Sequence, residues 1–344
     1  MQPSVSIQTL RPQEIFRISR ATRREVQNVF LHLKDGPSEA WGEASPNSFY
    51  HETAEEVARR LAELRPALDN LSIEDGVDLE ALWDHHRPLL EPSRAAMCAL
   101  DVALWHLLAA KQGCSLPELL WKQPLTPIET FVTIGRSNRE ELDRKLAEYA
   151  NWPRLKLKSG EAPILADVEY VLHHSAAKLS IDANCAWSSD NLLARSQELA
   201  ASGKILLLEQ PLAPENDEAL RGLDLPLPVY ADESCVTETS LPNLVGKYCG
   251  INIKLVKCGG ITPARRMIRE AREKGFQIMI GCMLESSCLI HAGFAIAQQA
   301  DHADLDGALL LANDPFDLFE IERGTMTLNR AAASGQIVPI DRGT

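Results

Sequence analysis

A chain of 344 residues is longer than one ordinary core, so about two domains are expected; a barrel of roughly 200 to 250 residues plus an appendage fits. The formal charge of −13 argues against nucleic acid and anionic membrane as partners, and no run of about 18 apolar residues is present to span a bilayer. The eight cysteines lack metal-finger spacing and the first residues lack a basic-then-apolar leader, which predicts reduced thiols in a cytoplasmic protein.

The first third of the chain alternates. Residues 4–10 and 26–33 read as strands joined by a charged loop, 17–24, and residues 40–44 read as a third strand. Thr53 opens a helix to residue 64 with Glu56 as its capping-box partner, and Ser93 begins another that runs to residue 112. That second helix is apolar on most faces, as a helix buried between two domains must be. These elements predict an α+β domain over residues 1–115.

From Ile128 the rhythm changes to strand, loop and helix. Strand-like runs fall at 129–134, 154–158, 179–182, 205–209, 229–232, 251–254, 277–280 and 303–306. Amphipathic stretches such as 140–150, 189–202 and 263–274 read as the helices between them. Eight strands at this repeat predict a closed parallel barrel over residues 116–314. Residues 315–344 then read as loops that return to the first domain.

Five charged residues end five successive runs: Lys158, Asp182, Glu209, Asp232 and Lys254, at intervals of 24, 27, 23 and 22 residues. Each interval suits one strand and one helix with short loops. The carboxyl ends of barrel strands surround a single site, so these groups should converge. Lys158 ends the second strand and Lys254 the sixth, on opposite walls, with the carboxylates on the arc between. Oxygen ligands from three neighbouring strands suit a hard cation such as Mg²⁺. A substrate carboxylate on that ion would set its α-carbon between the lysines. The ion would stabilise the enediolate, while one lysine removes the α-proton and the other returns one to the opposite face. That is the geometry of racemisation or epimerisation.

Lys156, two residues before Lys158 on the same strand face, is expected to stay charged, to lower the pKa of Lys158 together with the cation, and to help hold the substrate carboxylate. Lys257 rivals Lys254 but falls beyond the apolar run, before Gly259-Gly260. A single strand-end carboxylate is usually a helix cap, and five successive charged ends are not.

Lys156-Leu-Lys158, Asp182-Ala-Asn184, Glu209-Gln-Pro211, Ala231-Asp-Glu-Ser234 and the run from Asn252 to Gly260 together resemble the muconate-lactonising branch of the enolase superfamily. The resemblance runs through the whole chain, including Ala44-Ser-Pro46 and the helical run from Ala99 to Trp105. It implies an α/β fold, a modified TIM barrel of the (β/α)₇β type with an α+β N-terminal capping domain, and Mg²⁺. Asp304-Leu-Asp306 resembles the Asp-x-Asp motif of dipeptide epimerases, in which two carboxylates hold the free α-ammonium. Adjacent carboxylates in a charged site do want a cationic ligand. The run from Gly281 to Ser287, which contains Ser286, is similar to the same enzymes.

Residues 16–23 resemble the mobile capping loop of L-Ala-D/L-Glu epimerases, which implies Arg23, and after it Arg20, as the partner of a substrate glutamate. Phe49 and Tyr50 depart from the charged or glycine-containing second capping loop, and are expected to narrow the pocket or favour a less polar side chain. The resemblance therefore implies an isomerase that inverts the C-terminal residue of a dipeptide, first of all L-Ala-D/L-Glu from murein peptides, and leaves a homo-oligomer open. An N-acylamino acid racemase or o-succinylbenzoate synthase is the alternative within the superfamily. A catalytically silent binding barrel is the alternative outside it.

Overall fold

The computed structural model describes residues 1–18, 21–69, 71–73, 78–159 and 164–340. Eight strands form one parallel sheet in chain order: Val132–Ile134, Arg154–Lys158, Lys178–Asp182, Ile205–Glu209, Val229–Ala231, Gly250–Lys254, Gln277–Gly281 and His302–Asp304. Thr130 bridges Ala303 in parallel and the Phe131 N–H donates to the Ala303 carbonyl at 3.0 Å, so the first strand meets the eighth and the barrel closes. Helices on the outer face and a packed interior bury both sides of the sheet, which is why its strands read as nearly continuous apolar runs. Phe131, Leu207, Tyr230 and Met279 fill the interior at its closed end.

Register places the charged residues on one rim. Lys158 pairs with Asp182, Asp182 with Glu209, Lys254 with Gly281, and Gly281 with Asp304. Helices such as Arg139–Glu148, Ser189–Ala200 and Ile261–Glu273 stand where the amphipathic periods predict them. The fourth and fifth strands are instead followed by short turns, Pro214–Leu220 and Glu238–Leu244 in part. The eighth strand leads into a loop, as the (β/α)₇β form requires.

The capping domain is a three-stranded antiparallel sheet, Gln2–Leu10, Val26–Asp35 and Ser38–Ala44, against which Arg94–Gln112 packs. Every residue of that helix from Ala95 to Ala109 is buried. Gly42 permits the approach, since a Cβ there would stand 1.9 Å from the Ala99 carbonyl oxygen. Thr53 caps Ala54–Glu63 by accepting from the Glu56 N–H at 3.3 Å. The reciprocal half of the expected capping box is missing, because the Glu56 carboxylate is taken by Arg59 and Arg60. Helix Leu79–Leu90 has no counterpart in the sequence reading, and Leu116–Trp121 packs against both the long capping helix and Ser287–Ala297 of the barrel.

Two loop expectations are corrected. Within residues 17–24 lies part of a hairpin, Phe16–Ile18 paired with Ala21–Arg23. Its anchor is the Arg136 N–H, which donates to the Arg17 carbonyl at 3.1 Å. After residue 315 the chain does return to the capping domain, where Phe316 packs 6.0 Å from both Phe30 and Trp41. It then forms a second hairpin, Phe319–Glu322 with Thr325–Leu328, which pairs with Ile128–Glu129 beneath the barrel. Its strands have four residues each, too short for a periodic signal to stand out.

Polar bonds stitch the two domains together. Asp101 on the long helix accepts from the Thr262 N–H at 2.8 Å and its hydroxyl at 2.7 Å. Glu43 accepts from Asn28, from the N–H and hydroxyl of Ser286, and from the Leu289 N–H. Burial outweighs these donors and raises Glu43 to about 7. Burial and the neighbouring Glu43 raise Glu285 to about 8, with the Met283 N–H pulling it down. A carboxyl raised in the fold holds its proton while the unfolded chain releases one, so stability present below about pH 4.5 is lost as pH rises toward 8. Each unit of elevation is worth about 1.4 kcal/mol. Chemical denaturation between pH 5 and 8 should therefore show falling stability in the parent and a flatter profile in Glu285→Gln.

Candidate active site

A cavity of about 620 Å³ lies between the capping domain and the open rim of the barrel. Lys158, Asp232 and Lys254 line it from below, and Arg23, Phe49 and Tyr50 from above. The two-residue period of a strand turns Lys156 and Lys158 toward the barrel axis and Leu155 and Leu157 toward the outer helices.

Asp182, Glu209 and Asp232 are buried, with ligand atoms that all lie within 4.8 Å of one another. Lys158 Nζ stands 2.6 Å from Asp182 Oδ2 on one side, and Lys254 Nζ stands 2.9 Å from Asp232 Oδ2 on the other. Lys156 is fully buried beneath them. Its Nζ lies 3.0 Å from Asp182 Oδ2, 2.7 Å from Glu209 Oε2 and 2.6 Å from Asp304 Oδ2. Against burial, Asp182, Asp304 and Glu209 raise its amine, so it stays charged; but it neutralises these carboxylates and does not line the cavity, where the sequence reading expected it to help hold the substrate carboxylate. Lys257 is committed to the Asp232 carbonyl and Oδ1, each at 2.6 Å, and to the Asn252 carbonyl. Lys254 lines the cavity and Lys257 braces the wall behind it.

Neighbours hold these carboxylates in place. Asn252 Nδ2 donates to Glu209 Oε1 at 2.8 Å, and Gln210 Oε1 accepts from the N–H groups of Asp232 and Ser234. Burial opposes the charge on Asp182, yet Lys156 and Lys158 hold its carboxyl below the usual carboxylate range. Asp232 is pushed well down too, against burial, by Lys254 and Lys257. Asp232 in turn outweighs the desolvation of Lys254 and raises its amine. Glu209 differs, since burial and the adjacent Asp182 push it up to about 7 against the pull of Lys156.

The donor set fits Mg²⁺. Three hard carboxylate oxygens converge from adjacent strands, and the raised Glu209 marks an excess of negative charge that a divalent cation relieves.

On the eighth strand end, Asp304 and Asp306 both line the cavity. Asp306 Oδ2 accepts from the Thr133 N–H at 2.5 Å. Burial and the neighbouring Asp304 raise Asp306 to about 6. Asp304 Oδ1 is buried and has no hydrogen-bond partner among the described residues. A cationic group satisfies both needs.

Arg23 reaches the cavity from the hairpin, with Nη2 3.5 Å from the Ser48 hydroxyl. Arg20 lies outside the described residues. Phe49 and Tyr50 form an edge-to-face pair with centroids 5.0 Å apart, and burial pushes the Tyr50 hydroxyl up to about 12. Phe49, at 40% exposure, stands at the mouth and Tyr50 deeper. Ser286 is not in the wall. Its hydroxyl binds Glu43 and caps the helix Ser287–Ala297, because the loop before that helix must satisfy a buried N-terminus. Thr133 and Gln27 line the cavity but are not among the site residues of the sequence reading, and Cys282 and Met283, also in the lining, figure there only within the run from Gly281 to Ser287. Thr133 stands one residue before the end of the first strand, in register with Lys156, so the strand-end count points to Ile134 and passes over it.

Fold and site together define a capped (β/α)₇β barrel built around a buried carboxylate triad with an amine on either side. The chain belongs to the mandelate racemase / muconate lactonizing enzyme family of the enolase superfamily. Residues 4–121 match the model of that family's N-terminal domain, and residues 139–335 match the enolase C-terminal domain-like model. The L-Ala-D/L-Glu epimerase of Escherichia coli is 35% identical over 91% of this chain and 95% of its own length. A hydrophobic dipeptide epimerase from a Flavobacteria bacterium is 37% identical over 89% of each chain.

Among solved structures, an Agrobacterium tumefaciens enolase family member with bound sodium and L-Ala-L-Glu superposes with a TM-score of 0.86 at 33% identity, covering 96% of this chain and 99% of the other. The Methylococcus capsulatus dipeptide epimerase complexed with Mg and L-Arg-D-Lys gives 0.88 at 27%, covering 98% and 99%.

Proposed function

We propose that this chain is a Mg²⁺-dependent dipeptide epimerase that inverts the α-carbon of the C-terminal residue by two-base proton transfer. The observation that carries the reading is one cavity with Lys158 and Lys254 on either side of the buried triad and the Asp304/Asp306 pair beside them. Asp182, Glu209 and Asp232 would hold Mg²⁺, which would supply positive charge to the substrate carboxylate as the α-proton leaves. One lysine Nζ takes the α-proton and the other delivers a proton to the opposite face, so no net atom is gained or lost. Asp304 and Asp306 hold the α-ammonium of the dipeptide. Arg23 faces the side chain being inverted, with Phe49 and Tyr50 as its apolar wall, and L-Ala-D/L-Glu from murein peptides is the first substrate to try. The enzyme acts in the cytoplasm, a reading supported by seven cysteines, Cys98, Cys114, Cys235, Cys249, Cys258, Cys282 and Cys288, that stand as free thiols.

Incubating L-Ala-L-Glu and a panel of other dipeptides in D₂O with Mg²⁺ tests the activity by mass spectrometry. If no dipeptide exchanges its α-proton, the assignment is wrong. Asp304→Asn and Asp306→Asn are expected to raise KM for dipeptides by about tenfold or more, since each removes a charge-assisted contact. N-acylated amino acids lack the ammonium; an enzyme made for them would keep its activity in both variants.

A further inference from the structure

A second cavity, of about 250 Å³, adjoins the first between the hairpin and the first barrel helix. Phe16, Thr133 and Leu310 line both. Thr133 also holds Asp306 through its backbone N–H, so the carboxylate pair stands at the junction of the two spaces. Tyr149 lines the second cavity, and Asp306 is among the charges that raise its hydroxyl, after burial and Glu148.

The walls of this cavity neutralise each other. Glu14 pairs with Arg144 and Lys145, and Arg17 lies 3.4 Å from Glu141. Two charged groups of the lining remain exposed and without an ion-pair partner among the described residues, Arg136 and Glu148, the latter beside Tyr149, while the Ser137 hydroxyl donates to the Gly135 carbonyl at 2.8 Å. The space is larger than a methyl group can use. Its free donor is the Arg136 guanidinium, which favours an acceptor.

We propose that this second cavity is the subsite for the N-terminal side chain of the dipeptide, and that it takes a long side chain ending in an amide or carboxylate. The proposal rests on the dipeptide reading above. With the α-ammonium on Asp304 and Asp306, the N-terminal α-carbon lies one bond from that nitrogen, and its side chain departs at the junction lined by Phe16, Thr133 and Leu310. Alanine leaves the second cavity empty, whereas glutamine or glutamate reaches Arg136.

Epimerisation kinetics of L-Ala-X and L-Gln-X test this, where X is a C-terminal residue that the enzyme inverts in the L-Ala dipeptide. The expected kcat/KM for L-Gln-X lies within about tenfold of that for L-Ala-X, and a larger drop overturns the subsite. Ser137→Trp, which fills the second cavity, should lower the ratio of L-Gln-X to L-Ala-X kcat/KM by at least about tenfold. An unchanged ratio in a variant with parental melting temperature overturns the proposal. Should that variant be unstable, Arg136→Ala replaces it, with an expected rise of about fivefold in KM for L-Gln-X relative to L-Ala-X, and an unchanged KM ratio counts against the subsite. Inactivity on every L-Ala dipeptide defeats the dipeptide reading itself. Turnover of L-Ala-X with rejection of L-Gln-X defeats the subsite alone.

Discussion

Lys158→Ala and Lys254→Ala are each expected to abolish epimerisation, with a loss of about 10³-fold or more, because inversion needs a base on both faces of the α-carbon. The two variants should differ in what they keep. Each retains the lysine that serves one face, so in D₂O each should still exchange the α-proton of one epimer while losing exchange of the other. The two should be complementary, one sparing the L,L substrate and the other the L,D substrate. Proton NMR of both epimers, with each variant and Mg²⁺, reads this directly. Equal loss from both epimers in both variants would show that the lysines act together as a charge pair and not as opposed bases. Lys257→Ala is a poor substitute test, since Lys257 braces the Asp232 carbonyl and would perturb a ligand position as well as a charge.

The second large effect concerns Lys156. Lys156→Met keeps most of the side-chain volume but removes the ammonium that contacts Asp182, Glu209 and Asp304 within 3.0 Å. Three buried carboxylates then lose their common partner. Breaking such a buried network by deleting one member costs about 3–5 kcal/mol, because the remaining charges stay desolvated without compensation. The expected result is a melting temperature well below that of the parent in EDTA. Mg²⁺ should recover part of the loss, since an ion on Asp182 and Glu209 replaces the missing charge there and leaves Asp304 uncompensated.

The pH dependence has a definite sign. Glu209 is already raised to about 7 with Lys156 present, and removing that cation raises it further. A carboxyl raised in the fold gives stability that is complete below its unfolded pKa and lost as pH climbs through the folded value. The penalty of Lys156→Met should therefore be smaller at pH 5 than at pH 8. Thermal unfolding at both pH values, with and without Mg²⁺, measures all three effects. A variant as stable as the parent in EDTA at pH 8 would mean that the cluster is not charged as described.

Much of this architecture was legible in the chain because it depends on local rules. A strand followed by a helix repeats every 22 to 27 residues here, and strand ends in a parallel barrel share one rim whatever the loops do. That is why Lys158, Asp182, Glu209, Asp232 and Lys254 could be set together before any coordinates. Lys254 could also be preferred to Lys257, since the apolar run ends at residue 254 and the next residues turn into Leu255–Cys258.

Ser286 illustrates where local rules stop. Its neighbours look like a rim loop, but it is the N-terminal cap of a buried helix, and its hydroxyl meets Glu43, which is 243 residues away. The charged run 17–24 carries no strand period, and it pairs as a hairpin where its backbone docks on Arg136.

Residue type and period alone determined the barrel, its cap, the rim and the identity of the groups on that rim, because periods of two and of about 3.6 residues are properties of the backbone. Closure of the barrel decided the rest. Only when the eighth strand meets the first does Asp304 reach Lys156 across 148 residues, and Asp306 reach Thr133 across 173. Burial then selects the partner. A desolvated ammonium must be neutralised where it stands, so Lys156 serves the carboxylates beneath the site, and Lys158 and Lys254 are left to face the cavity.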